Sequence, residues 1–211
     1  MKIFGLLDNY DVPDRQPVPG SAEAGTSLPI LYFPDVALLA SGKPFFIPPG
    51  GDRWELYPSV AIRISRLGKS IASKFASRYY TEAAFGFNIR NRTLLDALRS
   101  RGLPWTEATG SDYSTPLGRF MPVERLLAPD TEIRVGFTDR NGAMTCEPVY
   151  YRPSLLRLDA DQAVEAVSRR FTLKDGDIIF LGFPAEGSPV GTPGSIHAEL
   201  GDETLIITKI R

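Results

Sequence analysis

The sequence has one histidine, His197, and one cysteine, Cys146. A lone cysteine cannot close a disulfide within the chain. The two residues together also fall short of a zinc cluster, which takes about four such ligands, or three with a carboxylate. A Ser-His-Asp triad would have to use His197. No Gly-x-Ser-x-Gly elbow is present, and "EGSPVGTPGSIHAEL" reads as a flexible segment with a solvated or capping histidine. "GTPGS" lacks the lysine and the spacing of a phosphate loop. Cys146 lies beside an expected strand and reads as a small core residue. Long apolar runs are missing too. "MKIFGLL" stops at Asp8, too soon for a signal peptide, and no later run nears the roughly 18 apolar residues of a membrane helix. A cytoplasmic protein without a membrane span is expected. The net charge of -1 supplies no field that would draw nucleic acid. Repeats, low-complexity tracts and charge blocks are absent.

What is present points to strands. Among 211 residues, 18 Pro and 19 Gly suit a loop-rich, strand-rich fold better than a helical bundle. "MKIFGLL" reads as a buried strand, followed by a Pro-rich loop that cannot hold a regular ladder. "SVAIRIS" alternates Val60, Ile62 and Ile64 with Arg63 and Ser65, the pattern of a half-buried strand. "SIASKFASRYYTEA" places Ile71, Phe75, Ala76 and Tyr79 at helical spacing. "NRTLLDALRSRG" puts Leu94, Leu95, Ala97 and Leu98 on one stripe and ends on Gly102. In "TEIRVGFTDRNGAMTCEPVYYR", Ile133, Val135 and Phe137 alternate before an Asn141-Gly142 turn, a hairpin signal. "DADQAVEAVSRRF" is an Asp-led helix, and "KDGDIIFLGFP" and "GDETLIITKIR" are late strands. The sum is an α+β, strand-rich chain, an antiparallel-rich sandwich or roll with a few helices.

Six stretches, in order, carry a resemblance: Asn9-Tyr10, "PDVALL" at 34–39, "GKPFFIP" at 42–48, "GLPW" at 102–105, "PLG" at 116–118 and "LKDGDIIFLGFP" at 173–184. Together the chain resembles the fumarylacetoacetate hydrolase-like family, over nearly its whole length. The resemblance implies a single domain over 1–211, a mixed β-sandwich roll, a homodimer and a lid-like segment near 10–28. It also implies Mg²⁺ or Mn²⁺ on a Glu-x-Glu pair and an Asp, with a Lys, a lid His and a lid Glu assisting, and 2-oxo or dioic acids as substrates.

Carried over by position, the Glu-x-Glu pair falls on Tyr57 and Ser59, and the metal Asp on Asn88. The Lys falls on Thr109, and the lid His and Glu on Pro13 and Gln16. A small hydroxyl residue late in the chain falls on Phe183, while Arg92, Gly110 and Asp112 are retained. Neutral oxygens do not repay the dehydration of Mg²⁺. The leading expectation is therefore a family fold without metal-dependent catalysis and without a cofactor. It would bind a small carboxylate ligand in a pocket rimmed by Tyr57, Ser59, Asn88, Arg92, Thr109, Asp112 and Phe183, or serve as partner to an active relative. Arg92 is the cation suited to a carboxylate, or a brace for the start of its helix. The alternative is an active hydrolase, isomerase or decarboxylase. It would use no metal, or Mg²⁺ or Mn²⁺ on a shifted site drawing on Glu55, Glu107 and Asp112.

Overall fold

A computed structural model describes residues 1–11, 28–191 and 193–211. Most of the lid-like segment, with Pro13 and Gln16, lies outside the described residues. In chain order the strands are β1 (Ile3–Leu6), β2 (Ile30–Phe33), β3 (Leu38–Ala40), β4 (Pro44–Phe45), β5 (Trp54–Ile64), β6 (Tyr80–Asn91), β7 (Thr115–Leu117), β8 (Met121–Pro122), β9 (Ile133–Asp139), β10 (Val149–Tyr151), β11 (Ile178–Phe180), β12 (Ser188–Pro189), β13 (Gly194–Leu200) and β14 (Glu203–Ile210). The α-helices are α1 (Ser73–Ala76), α2 (Arg92–Ser100), α3 (Thr106–Thr109), α4 (Glu124–Leu127) and α5 (Ala160–Arg170).

The strands form two mixed sheets. The larger runs β2-β1-β11-β5-β6-β7-β3, with β12 on β5 and β8 on β6. The smaller runs β10-β9-β13-β14-β4. Strands β1 and β11, β3 and β7, and β14 and β4 pair parallel; the other pairs are antiparallel. The chain is strand-rich α+β, as its patterning predicts.

Strands β5 and β6 form the spine, with apolar residues on both faces. One core takes Leu56, Val60 and Ile62 from β5 and Phe85, Phe87 and Ile89 from β6. It continues through Val135, Ile196 and Ile206 of the smaller sheet and Val164 of α5. The other face of the larger sheet carries a second core of Ile3, Phe33, Tyr57, Ala61, Phe180 and Phe183. Successive strand residues alternate between faces, so a continuous apolar run fills both. This corrects the half-buried strand expected at 60–64. The strand begins at Trp54, and Arg63 is its one exposed residue.

The Asn9-Tyr10 pair is structural. The Asn9 amide donates to the Leu181 and Leu158 carbonyls at 2.6 and 3.0 Å and accepts from Leu158 N–H at 2.7 Å. Tyr10 stacks on Tyr151 at 4.5 Å and accepts from Arg152 N–H. Asp159 caps α5 in a reciprocal box with Gln162. Gly102 and Gly142 have positive φ at the helix stop and the turn where each is expected.

Four expectations are corrected. The helix read into residues 70–83 is one turn of α-helix and one of 3-10 helix, because from Tyr80 the chain joins the β5 ladder. In α2 only Leu95 is fully buried, and Ala97 is exposed. Cys146 is exposed, since the chain between β9 and β10 runs over the surface. His197 belongs to strand β13, not to a flexible loop. Its ring lies over Gly136, where an added Cβ would come within 2.4 Å of it.

Candidate functional site

Register brings the residues together. Tyr57 faces Asn88 across β5–β6, Ser59 faces Gly86, and Glu55 faces Arg90. Glu55 and Tyr57 are two apart on one strand and share a face. The Tyr57 hydroxyl donates to Glu55 Oε2 at 2.7 Å. Burial, and then the Glu55 bond, push the Tyr57 phenol above its usual range. It is therefore a proton donor at neutral pH. Arg92 opens α2 beside this pair, its Nη1 3.6 Å from Glu55 Oε2. Its Nε donates to Asp96 at 3.0 Å, and that bond raises the Arg92 pKa. Arg92 thus both faces the site and braces its helix. Exposure separates the roles: the Glu55 and Arg92 side chains keep 15% and 26% of their surface, while Tyr57 keeps 1%.

Above the pair runs the segment into β12, where Ser188 and Pro189 pair with Leu56 and Glu55. A Cβ on Gly187 would come within 2.6 Å of the Tyr57 ring and 2.8 Å of Glu55. Only a glycine lets this backbone lie so close.

Below the pair sits a residue missed in the sequence, Arg90. It is 3% exposed. Its guanidinium carbon lies 3.9 Å from the centre of the Tyr57 ring and 4.8 Å from that of Phe183. Its Nε donates to Asn88 Oδ1 at 2.6 Å, and its Nη2 is buried with no protein partner. Burial lowers its pKa to about 10, which leaves it charged at neutral pH. The signal was legible: "FGFNIRN" sets one arginine inside an apolar strand, on the face of Asn88.

The remaining predicted residues divide. Ser59 donates to the Val60 carbonyl and accepts from Gly182 N–H. Asn88 donates to the Thr109 carbonyl at 2.8 Å, so Thr109 meets the site through its backbone. The Thr109 hydroxyl turns back on its own helix. Phe183 is buried and stacks on Phe180. Glu107 and Asp112 are exposed and do not join Glu55. Among the described residues, no three His, Cys, Asp or Glu side chains converge to hold a metal ion.

The donor set can be tested against a divalent cation. Tyr57, Ser59 and Asn88 offer a phenol, a hydroxyl and an amide, and a guanidinium touches two of them. A divalent ion about 4 Å from that charge is opposed by about 8 kcal/mol at an effective dielectric of about 20. These residues do not fit Mg²⁺ or Mn²⁺.

Comparison with known proteins then gives a consistent setting. The family model described as fumarylacetoacetate (FAA) hydrolase C-terminal matches residues 2–208. A mitochondrial oxaloacetate tautomerase of Caenorhabditis elegans is 26% identical over 179 residues, covering 83% of this chain and 80% of its own. A fumarylpyruvate hydrolase from Pseudomonas aeruginosa, solved in complex with Mn²⁺ and pyruvate, superposes with a TM-score of 0.81 at 19% identity, covering 100% of this chain and 89% of its own. A 5-carboxymethyl-2-hydroxymuconate delta-isomerase from Mycobacterium smegmatis gives 0.79 at 24%, covering 99% and 78%.

Proposed function

This chain belongs to the fumarylacetoacetate hydrolase C-terminal family, and from that premise we propose that it is an enzyme of 2-oxo carboxylic acids, catalysing a proton shift of the tautomerase or isomerase type without a divalent metal. The observation that carries this reading is the Glu55–Tyr57–Arg92 cluster, a partly exposed carboxylate held by a neutral phenol beside a partly exposed guanidinium. Relatives named as a tautomerase, a hydrolase and an isomerase favour turnover over a bare binding role.

The step needs one base. Arg92 binds the substrate carboxylate with its planar fork. Tyr57 occupies Glu55 Oε2 and leaves Oε1 for the substrate. Glu55 takes the proton from the carbon next to the 2-oxo group, and the electron pair moves onto the carbonyl oxygen. Glu55 then returns the same proton to that oxygen. The keto form becomes the enol, no atom is gained or lost, and Glu55 is regenerated. Guanidinium charge stabilises the intermediate enolate. The test is the interconversion of enol and keto oxaloacetate, followed by enol absorbance with excess chelator. A protein-dependent rate lost in Glu55→Gln is expected. No rate above the buffer background would overturn the reading.

A second reading, carboxylate binding without turnover, draws on one observation. Ser59, Asn88 and Thr109 direct their hydrogen bonds into the fold. Saturable binding of pyruvate with no turnover would favour it.

A further inference from the structure

We propose that Arg90 is a resident cation standing where metal-dependent relatives carry a divalent ion, and that its fixed charge stabilises the anion bound at Glu55 and Arg92. Three independent features converge on it. Arg90 bonds Asn88 and lies against the Tyr57 ring, at two of the three positions where the resemblance places metal-binding carboxylates. It has no carboxylate bonded to it. Its hydrogen-bond partner is an amide and its flat faces meet the rings of Tyr57 and Phe183, while the carboxylate that faces it, Glu55, is bonded to Tyr57 instead. Its Nη2 is a buried donor with no protein acceptor. Such donors are rare in folded proteins, because an unmet donor costs the full loss of its hydration. A guanidinium held this way is costly as a mere structural strut and useful as a source of field in a low-dielectric site.

The substitutions around it then form one set. Carboxylates at positions 57, 59 and 88 would pair with Arg90 directly, whereas Tyr57, Ser59 and Asn88 leave Glu55 as the acid that faces it. Phe183 supplies a second ring face, which a small hydroxyl residue cannot. Arg90 does not touch the substrate in this geometry. It positions Tyr57, which positions Glu55, and its charge lies under the place where an enolate forms.

The inference rests on the proton-shift reading, but its test separates from it. Oxalate, a planar dianion shaped like the enolate of a 2-oxo acid, is titrated calorimetrically in chelator into the wild-type chain, Arg90→Met and Arg90→Lys. Mn²⁺ is titrated into the wild type alone, which needs no variant to fold. Melting temperatures show which variants are native. Expected results are metal-free oxalate binding by the wild type, at least a tenfold loss in Arg90→Met, a smaller loss in Arg90→Lys, and no Mn²⁺ uptake up to millimolar concentration. Stoichiometric Mn²⁺ binding at micromolar concentration would overturn the proposal. So would wild-type affinity in a folded Arg90→Met, or an absence of oxalate binding alongside Glu55-dependent turnover. Arg90-dependent oxalate binding without turnover would uphold the resident cation and remove only the proton-shift reading.

Discussion

At the residue scale, the site depends on a division of labour between groups that differ in exposure. Glu55 and Arg92 meet solvent, whereas Tyr57 and Arg90 lie beneath them. Replacing Glu55 by Gln removes the base, so kcat for enol–keto exchange is expected to fall by about 100-fold or more. Arg92→Met removes the carboxylate anchor, so its main effect is expected on KM. Initial-rate kinetics on both variants check this division. Asn9 gives a stability prediction of the same grain. Truncation to Ala strips partners from a buried carbonyl at Leu181 and part-buried groups at Leu158, and about 2–3 kcal/mol of unfolding free energy should be lost in urea titration. Tyr57, Ser59 and Asn88 are named only through the family resemblance, and the β5–β6 register sets Tyr57 opposite Asn88 and Ser59 opposite Gly86. Arg90 lies outside those positions, and its mark in the sequence is a single charge inside the apolar strand β6. Sequence alone does not separate Glu55 from Glu107 and Asp112, since exposure is a property of the assembled sheets.

At the scale of elements, the β5–β6 ladder sets the site and the β12 segment covers it. Gly187→Ala places a methyl group into Tyr57 and Glu55. The variant is expected to keep its fold and lose turnover, because the strain falls on a surface segment rather than on the spine. Circular dichroism beside the kinetic assay distinguishes the two effects. Local chemistry made several elements legible in advance: the Asp159 cap, the Gly102 stop and the Asn141-Gly142 turn. The elements that misled were those decided by pairing. Helical spacing at 71–79 yielded to a ladder that claims Tyr80, and a loop-like composition around His197 yielded to pairing with β9 and β14.

At the scale of the whole molecule, two apolar cores on opposite faces of one sheet enclose tyrosines that resist ionisation. Burial is the main cause of the raised pKa values of Tyr10, Tyr57, Tyr80 and Tyr151. Below the ordinary phenol value of 10.0 both folded and unfolded chains keep these protons, and the contribution to stability is complete. Above it the unfolded chain loses protons first, so stability falls as pH rises toward the folded values. Ionisation of these four phenols is expected to coincide with alkaline unfolding, which a pH titration read by phenolate absorbance and circular dichroism would show as a late absorbance step at the unfolding transition. Completion of the absorbance change for all eight tyrosines before any unfolding would contradict it.

In the proposed metal-free proton shift, Tyr57 acts through Glu55. A double-mutant cycle on Glu55→Gln and Tyr57→Phe tests it most directly, with enol–keto exchange of oxaloacetate measured in chelator. Each single variant is expected to lose activity, and adding Tyr57→Phe to Glu55→Gln is expected to cost nothing further, because the phenol has no base left to position. Losses that multiply in the double variant, or a wild-type rate that vanishes on chelation, would contradict it.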